Sequence, residues 1–238
     1  MKKNWRSLMT IWLVAFSLIA VSCIAHIHGN GKVVKEERTV SGFDEISTST
    51  GIEVSLTQDS FEKIVVEADE NIQKILKTEV TGGKLKIYLE EGVNYAKKMK
   101  VYVTLKQLKA LEASAGSEVK SENQIKSESL KIHSSSGSDV TMEVGCTMVS
   151  LDSSSGSQMN VSGTAQSLKA SCSSGANLNA SKLVSDKADV SASSGADLDV
   201  HVTKDLKAHA SSGAGITVYG NPTTRDTNSS SGGDVNYK

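Results

Sequence analysis

The clearest pattern along the chain is a block of small residues that ends in glycine and recurs seven times between residues 113 and 232. Most copies have the form Ser-Ser-Gly, preceded by Ser, Ala or Cys. The glycines are Gly116, Gly137, Gly156, Gly175, Gly195, Gly213 and Gly232, separated by 21, 19, 19, 20, 18 and 19 residues. A fixed period near 20 residues is typical of a solenoid, in which each repeat forms one coil.

Apolar and polar positions alternate on both sides of each glycine. The third residue after it is always apolar and the fifth before it mostly so, whereas the second after it and the sixth before it are mostly polar. The third-position residues are Val119, Val140, Met159, Leu178, Leu198, Ile216 and Val235. A period of two predicts a strand on each side of a glycine corner. We therefore predict an all-β fold, a right-handed parallel β-helix with about 19–20 residues per coil, two clear strands and a more variable third side.

Helical structure is not indicated, because no window of twelve residues sustains a period of 3.6. The chain before residue 110 is less regular but still resembles strands, for example at residues 63–68, 80–89 and 99–105. Residues 49–56 form a degenerate copy of the corner, and residues 71–77 are compatible with one helical turn. We assign this half to N-terminal coils and a cap, within one domain over residues 41–238. A cap protects the unpaired backbone of the terminal coil.

The first 22 residues have the features of an export signal. Lys2, Lys3 and Arg6 precede an apolar run that is too short to span a bilayer as a helix. The run ends in small residues before Cys23, and Ala20-Val21-Ser22-Cys23 resembles the lipobox of bacterial lipoproteins. We predict a lipoprotein signal peptide at residues 1–22, a lipid on Cys23 that anchors the protein to a membrane, and a tether over residues 23–40.

Two features bear on the destination of the lipoprotein. No Asp follows Cys23, and no acidic cluster of the kind found in surface-export signals is present. By analogy with other lipoproteins, the outer membrane facing the periplasm is favoured over the cell surface.

Loss of the predicted leader changes both the charge and the aromatic content. The whole chain has 26 Lys+Arg and 27 Asp+Glu, and the three basic residues of the leader leave four more acidic than basic residues in the mature protein. This mild acidity argues against a nucleic-acid partner. Both tryptophans, Trp5 and Trp12, leave with the leader. A sugar-binding cleft built on aromatic rings is disfavoured, although a glycan or a protein remains open as the ligand.

Candidate chemistry is sparse, and we expect no catalytic residues, no metal site and no cofactor. Outward carboxylates at Glu118, Asp139, Asp197 and Asp199 are the candidate ligand-binding residues. Paired carboxylates serve acid–base catalysis or Ca²⁺ binding in some β-helix proteins, but a solvated outer face that keeps the protein soluble is the favoured interpretation. His133 and His209 share one phase of the repeat but lie four coils apart, too far to share a metal or a proton.

The cysteines of the repeat region are predicted to be unpaired. Cys146 precedes the next corner glycine by ten residues and Cys172 by three, so they occupy different parts of the coil. Cys172 replaces Ser or Ala in an inward column, which predicts a buried, inert thiol.

The order of motifs resembles the family of putative auto-transporter adhesins with a head GIN domain, common in exported lipoproteins of Bacteroidetes. The resemblance covers about residues 29–235. It rests on residues 29–31, 40–46, 51–54 and 105–116, on the Ser-Ser-Gly corners and on Tyr219-Gly220-Asn221-Pro222. It implies a right-handed β-helix and an adhesive role, and it supplies no functional residues.

The sequence therefore favours a non-enzymatic cell-envelope protein that acts as an adhesin, a binding module or a structural module. The alternative is a carbohydrate-active β-helix enzyme of the lyase or hydrolase type. A sensing role beside a signalling partner is left open.

Overall fold

The computed structural model describes residues 26–238, so the predicted leader and Cys23 lie outside the described part of the chain. The described residues form strands and turns and no helix, and none of them forms a helix long and apolar enough to cross a bilayer. The strands are β1 (Ile27–His28), β2 (Val33–Arg38), β3 (Glu45–Thr48), β4 (Glu53–Gln58), β5 (Lys63–Asp69), β6 (Leu76–Thr81), β7 (Lys84–Leu89), β8 (Val93–Tyr95), β9 (Met99–Leu105), β10 (Ala110–Ala113), β11 (Glu118–Ser121), β12 (Ile125–Ser134), β13 (Asp139–Ser153), β14 (Gln158–Cys172), β15 (Asn177–Ala192), β16 (Asp197–Ala210), β17 (Gly215–Tyr219), β18 (Thr224–Ser229) and β19 (Asp234–Tyr237).

Each Ser-Ser-Gly block forms a tight corner with two successive residues of positive φ. At the second corner these are Ser136 (φ 53°) and Gly137 (φ 71°), and the amide of Ser138 donates to the carbonyl of Ser135 at 3.2 Å. This is the arrangement of a type I′ turn, which favours glycine at its second central position. The amide of Gly137 then donates to the carbonyl of Ser155 in the next coil at 3.2 Å, so the corners are joined along the solenoid axis.

The predicted parallel coils are confirmed. From β12 onward the strands pair in parallel, and β13, β14 and β15 pair along nearly their whole length. The predicted inward column is buried from Val119 to Ile216, and Val235 in the last coil is half-buried. The result is a β-solenoid of about seven turns. The third side is more regular than expected, because strand pairing continues through it. The chain bends there where two consecutive residues, such as Thr147 and Met148, both face outward.

The N-terminal half departs from simple coil order. Strands β3 and β4 form a coil with its own corner at Thr50 and Gly51, as the degenerate motif predicted. This coil pairs in parallel with β10 and β11 on one side and with β7 and β9 on the other. Beyond it, β6 pairs antiparallel with β7, and β5 pairs antiparallel with β9. These antiparallel strands form the cap.

The expected helical turn at residues 71–77 is a pair of turns. The amide of Gln73 donates to Asp69 and that of Leu76 to Ile72, each at 3.0 Å, which is the spacing of helical hydrogen bonds. The bonding does not continue, because Leu76 already begins β6.

The predicted tether over residues 23–40 differs from the structure, because most of its described part is built into the fold. Strand β1 pairs with β8, and β2 pairs antiparallel with β5 from Val33 to Arg38. Strand β2 is the outermost strand of the cap and pairs with β5 alone. As an edge strand it is only partly covered, so a mostly polar sequence is compatible with its position. Its exposed Lys35, Glu36 and Glu37 protect the free edge from further pairing.

Candidate functional site

A shallow groove lies on the outer face of the solenoid where β11, β13, β14 and β15 run side by side. It encloses about 260 Å³. Its polar lining consists of Ser121, Thr141, Glu143, Asn160, Ser162, Asn179 and Lys182. The apolar residues at its edge, Met142 and Val161, are buried core residues, so the accessible lining is polar.

The repeat places these side chains in register. Thr141 pairs with Asn160, and Asn160 pairs with Asn179, so three successive coils contribute one side chain each to the same outward column. Neighbouring strands in a sheet lie about 4.8 Å apart, so these side chains repeat at that step along the axis.

A β-bulge shapes the groove between its second and third coils. Asn160 pairs with Asn179, but Ser162 pairs with Lys182, so β15 contains one more residue than β14 at this point. The extra residue re-aims the side chains that follow it. Next to the bulge, Gly163 has φ 113°, and a Cβ at this position would lie 1.9 Å from the carbonyl oxygen of Val144. The backbones of β13 and β14 therefore approach closely beside the groove.

Several polar side chains in the groove are unpaired. Within residues 26–238, Thr141, Asn160, Ser162 and Lys182 make no side-chain hydrogen bond or ion pair, and Asn160 is half-buried. The remaining polar lining residues make side-chain hydrogen bonds. The free groups together comprise two hydroxyls, one amide and one ammonium group, which offer both donors and acceptors to a ligand.

The other lining residues are held by local hydrogen bonds. Asn179 Oδ1 accepts from the hydroxyl of Ser181 at 2.7 Å, and Ser121 Oγ accepts from the amide of Glu143 at 2.9 Å. Glu143 Oε1 also accepts from Gln124 at 3.3 Å. These contacts order the rim of the groove and leave its centre free.

The predicted candidate carboxylates are brought together only in part. Glu118 and Asp139 are direct neighbours in one outward column, as the repeat implied. Asp197 lies in that column three strands beyond Asp139, and Asp199 follows Asn179 in the column of the groove. No group of three or more His, Cys, Asp or Glu side chains within residues 26–238 is arranged to hold a metal ion. A ligand-binding role for these four carboxylates stays a prediction.

Glu53 extends the carboxylate column by one coil, since it pairs with Glu118. Lys98 and Lys100 bind its carboxylate at 2.7 and 2.5 Å. Burial raises the pKa of Glu53, but the hydrogen bonds and charges of Lys100 and Lys98 outweigh it, so the pKa lies below its usual value. This cluster is a structural ion pair between the cap and the first coil.

The two histidines behave as the repeat predicted. His133 and His209 occupy one column, separated by three intervening strands. His133 Nδ1 lies 3.2 Å from Asp152 Oδ2 on the adjacent strand, and both side chains are about half exposed. His133 and Asp152 form a surface pair away from the groove.

Cys146 and Cys172 are unpaired, as predicted, and the predicted burial of Cys172 is confirmed; Cys146 is buried as well. Burial, aided by the negative charge of Asp197, raises the pKa of Cys172 to about 11, and its thiol donates to the carbonyl of Ala176 at 3.3 Å. Burial also raises the pKa of Cys146. Neither thiol is a nucleophile at neutral pH.

The groove was not predicted from the sequence. Its one visible signal is the interval from Gly175 to Gly195, which is 20 residues where the preceding two intervals are 19. That interval contains the bulge, but the spacing alone does not show on which side of the coil the extra residue falls.

Comparison with known proteins gives a family and three close folds. The family model described as "Putative auto-transporter adhesin, head GIN domain" matches residues 42–222. No curated protein matches the chain. A putative adhesin from Bacteroides fragilis is similar over 89% of this chain and 100% of its own, with 20% identity and a TM-score of 0.83. A putative adhesin from Parabacteroides merdae is similar over 90% and 99%, with 20% identity and a TM-score of 0.73.

A third solved structure, a putative lipid binding protein from Parabacteroides distasonis, is similar over 90% of this chain and 100% of its own, with 20% identity and a TM-score of 0.75. At this level of identity the three structures show the shared fold alone. The family model is the stronger finding, because it matches most of the chain, from just before β3 to the turn that precedes β18. This protein belongs to the family of putative auto-transporter adhesins with a head GIN domain.

Proposed function

We propose that the protein is a non-enzymatic binding module of the cell envelope, anchored by a lipid on Cys23, whose groove holds a segment of a neutral glycan. The observation that carries the proposal is the set of unpaired polar side chains, Thr141, Asn160, Ser162 and Lys182, that face one groove in the described structure. Adhesin family membership indicates an exported or envelope protein and supports this setting.

The chemistry of the groove matches sugar hydroxyls. A hydroxyl group donates and accepts at once, and amide and hydroxyl side chains do the same. Glu143 and Lys182 bring one charge of each sign, so the groove has no net charge to select an ion. Because the lining repeats from coil to coil, an extended polymer along the axis meets a similar set of partners at each step of about 4.8 Å.

A lipid fits this groove less well. One structural neighbour is named a putative lipid binding protein, but the groove here is shallow and its accessible lining is polar. Acyl chains bind in apolar cavities that exclude water.

Within residues 26–238, the groove lacks the pair of carboxyl groups that a glycoside hydrolase of the common type uses. Glycosidases of the common type need two carboxyl groups on either side of the scissile bond. Among the described lining residues, Glu143 is the single carboxylate, and Lys182 is the other charged group. Binding without cleavage is therefore the activity that we propose.

Anchoring and location complete the proposal. The small residues before Cys23 support lipidation, and the absence of Asp after it supports the outer membrane with the body facing the periplasm. Incorporation of labelled palmitate in the wild type but not in Cys23→Ser tests the anchor. Protease digestion of intact and lysed cells tests the side on which the body lies.

The groove is tested by binding of the mature protein to a panel of neutral oligosaccharides, measured by calorimetry. For a glycan that binds, Asn160→Ala should weaken binding about fivefold, since a lost hydrogen bond costs about 1 kcal/mol. Asn177→Ala is the matched control, because Asn177 is exposed in the neighbouring column and does not line the groove. Equal affinities of both variants, or release of shortened products, would overturn the proposal.

A further inference from the structure

The N-terminal segment is firmly docked only a few residues after Cys23. The amide of Ile27 donates to the carbonyl of Gly92 at 2.8 Å, and the amide of Gly29 donates to the carbonyl of Tyr95 at 2.7 Å. Asn71 adds a hydrogen bond from its side chain to the carbonyl of His28 at 2.7 Å. The ordered body therefore begins well before the predicted boundary at residue 41.

A buried carboxylate fastens the same segment to the cap. Asp69 is fully buried and accepts from the amide of Gly31 at 2.9 Å and from the amides of Lys97 and Lys98 at 3.3 and 3.2 Å. Gly29 packs against it so closely that a Cβ there would lie 2.2 Å from Asp69 Oδ2. An anion held by three amides is a stable attachment, so the segment cannot leave the cap without exposing it.

The docking site lies at one end of the solenoid. Strand β2 follows β1 and pairs with β5 alone, so it is the outermost strand of the cap. From β9 in the cap, strands β4, β11, β13, β14, β15, β16, β17 and β19 follow in order to the other end. At about 4.8 Å per strand, the groove around β14 lies about 19 Å from β9, and β19 lies about 38 Å from it.

We infer that the cap end of the solenoid lies against the membrane that holds the lipid of Cys23, with Tyr95 at the level of the headgroups, and that the groove stands clear of the bilayer. The inference rests on the proposed lipidation. Three residues lie between Cys23 and Ile27, and the four residue steps from one to the other span at most about 14 Å. Strand β1 and its partner β8 are therefore held within that distance of the lipidated residue.

The exposed groups at this place suit a lipid surface. Tyr95 is 59% exposed, the largest value among the exposed large hydrophobic residues described, and its ring centroid lies 6.3 Å from that of His28. Lys97 is exposed two residues later. Tyrosine is enriched at membrane–water interfaces because its ring is apolar and its hydroxyl is polar, and a nearby lysine can reach phosphate groups.

The absence of tryptophan from the mature chain makes a direct test available. Trp5 and Trp12 both lie in the predicted leader, so Tyr95→Trp and Tyr237→Trp each create a protein with a single tryptophan. Tyr237 is the matched control, because it is an exposed tyrosine in β19 at the opposite end. The lipidated variants are reconstituted into vesicles of phosphatidylethanolamine and phosphatidylglycerol that contain brominated acyl chains, which quench tryptophan on contact.

We expect Tyr95→Trp to lose a clear part of its emission, because a ring at headgroup level meets only the upper part of the acyl chains, and Tyr237→Trp to keep nearly all of it. Equal quenching at both sites means that the solenoid lies flat and overturns the inference, as does the absence of quenching at residue 95. Sedimentation with the vesicles and palmitate labelling distinguish a failure of the lipid anchor from a failure of the proposed orientation. A protein that is labelled and sediments but shows no quenching at residue 95 refutes the orientation alone, whereas an unlabelled protein refutes the anchor and with it the orientation.

A second variant tests whether the short connection holds the cap in place. Insertion of 20 Gly and Ser residues between Ala25 and His26 adds a flexible chain with an end-to-end distance of about 25 Å. Quenching at residue 95 should then fall sharply while sedimentation persists. Undiminished quenching would show that the connection does not set the orientation.

Discussion

Two glycine-to-alanine substitutions provide a sharp test of how the coils are held together. Gly163 and Gly175 both have positive φ, at 113° and 67°, but their surroundings differ. A Cβ at Gly175 meets no atom within 4 Å, whereas a Cβ at Gly163 would lie 1.9 Å from the carbonyl oxygen of Val144, which faces it on the neighbouring coil. The same chemical change therefore probes backbone conformation alone in one case and coil spacing in the other.

The two costs follow from this geometry. At Gly175 the alanine must adopt a left-handed conformation, which costs about 1–2 kcal/mol. The preceding Ser174 already adopts φ 55°, so the corner tolerates a side chain. At Gly163 ordinary contact requires at least 3.4 Å, so β13 and β14 must separate locally by more than an ångström. Loss of the hydrogen bonds on either side, together with strain, brings the cost to about 4 kcal/mol.

Urea unfolding of the mature variants, followed by circular dichroism, measures both costs. Gly175→Ala should shift the midpoint slightly, and Gly163→Ala should shift it by two to three times as much or prevent folding, at an unchanged slope if the unfolded states are alike. Equal shifts for the two variants would refute the argument that the approach of β13 and β14 at Val144 is obligatory.

Three further predictions concern groups inside the fold. Ser157→Ala should lower the free energy of unfolding by about 1–2 kcal/mol, because Ser157 Oγ bonds to Ser153 Oγ at 2.9 Å and donates to the carbonyl of Ser134 at 2.8 Å. In a double-mutant cycle, Ser153→Ala with Ser157→Ala should cost less than the sum of the two single variants, since the alanine pair Ala192 and Ala196 fills the same two places later in the solenoid. The pKa of Glu53 is lowered, so its ion pair stabilises the fold above the ordinary pKa of 4.5, and this contribution is lost as pH falls below that value. In Glu53→Gln the urea midpoint should therefore decline less between neutral pH and about pH 3 than in the wild type. Cys172, with its pKa raised to about 11, should react with a thiol reagent at pH 8 only after unfolding, and a fast reaction in the folded protein would contradict its burial.

Repetition in the sequence was sufficient to predict the coils. Corner residues with positive φ favour glycine, and the inward positions of a strand must be apolar, so both leave a mark at a fixed interval. The positions from Val119 to Ile216 and the corner at Gly51 followed from that mark, and the structure confirms them. The separation of Cys146 from Cys172 followed from the same phase argument.

The cap and the groove depend on the tertiary structure. Strand β2 has a single neighbour and charged outward residues, so its sequence resembles a tether, and only its pairing with β5 shows that it belongs to the fold. The order of coils along the axis is also hidden, because β3 and β4 lie between strands that are more than 20 residues away in the chain.

The groove arises from a bulge that the length of one coil permits but does not locate. The 20-residue interval before Gly195 requires an extra residue somewhere in the coil, and the pairing of Ser162 with Lys182 shows where it lies. The sequence by itself therefore determined the period, the inward columns and the corners, because these are repeated local constraints. The tertiary structure decided how the strands of the cap pair, how the N-terminal segment is attached and which unpaired side chains meet, because each of these depends on contacts between distant residues that occur only once.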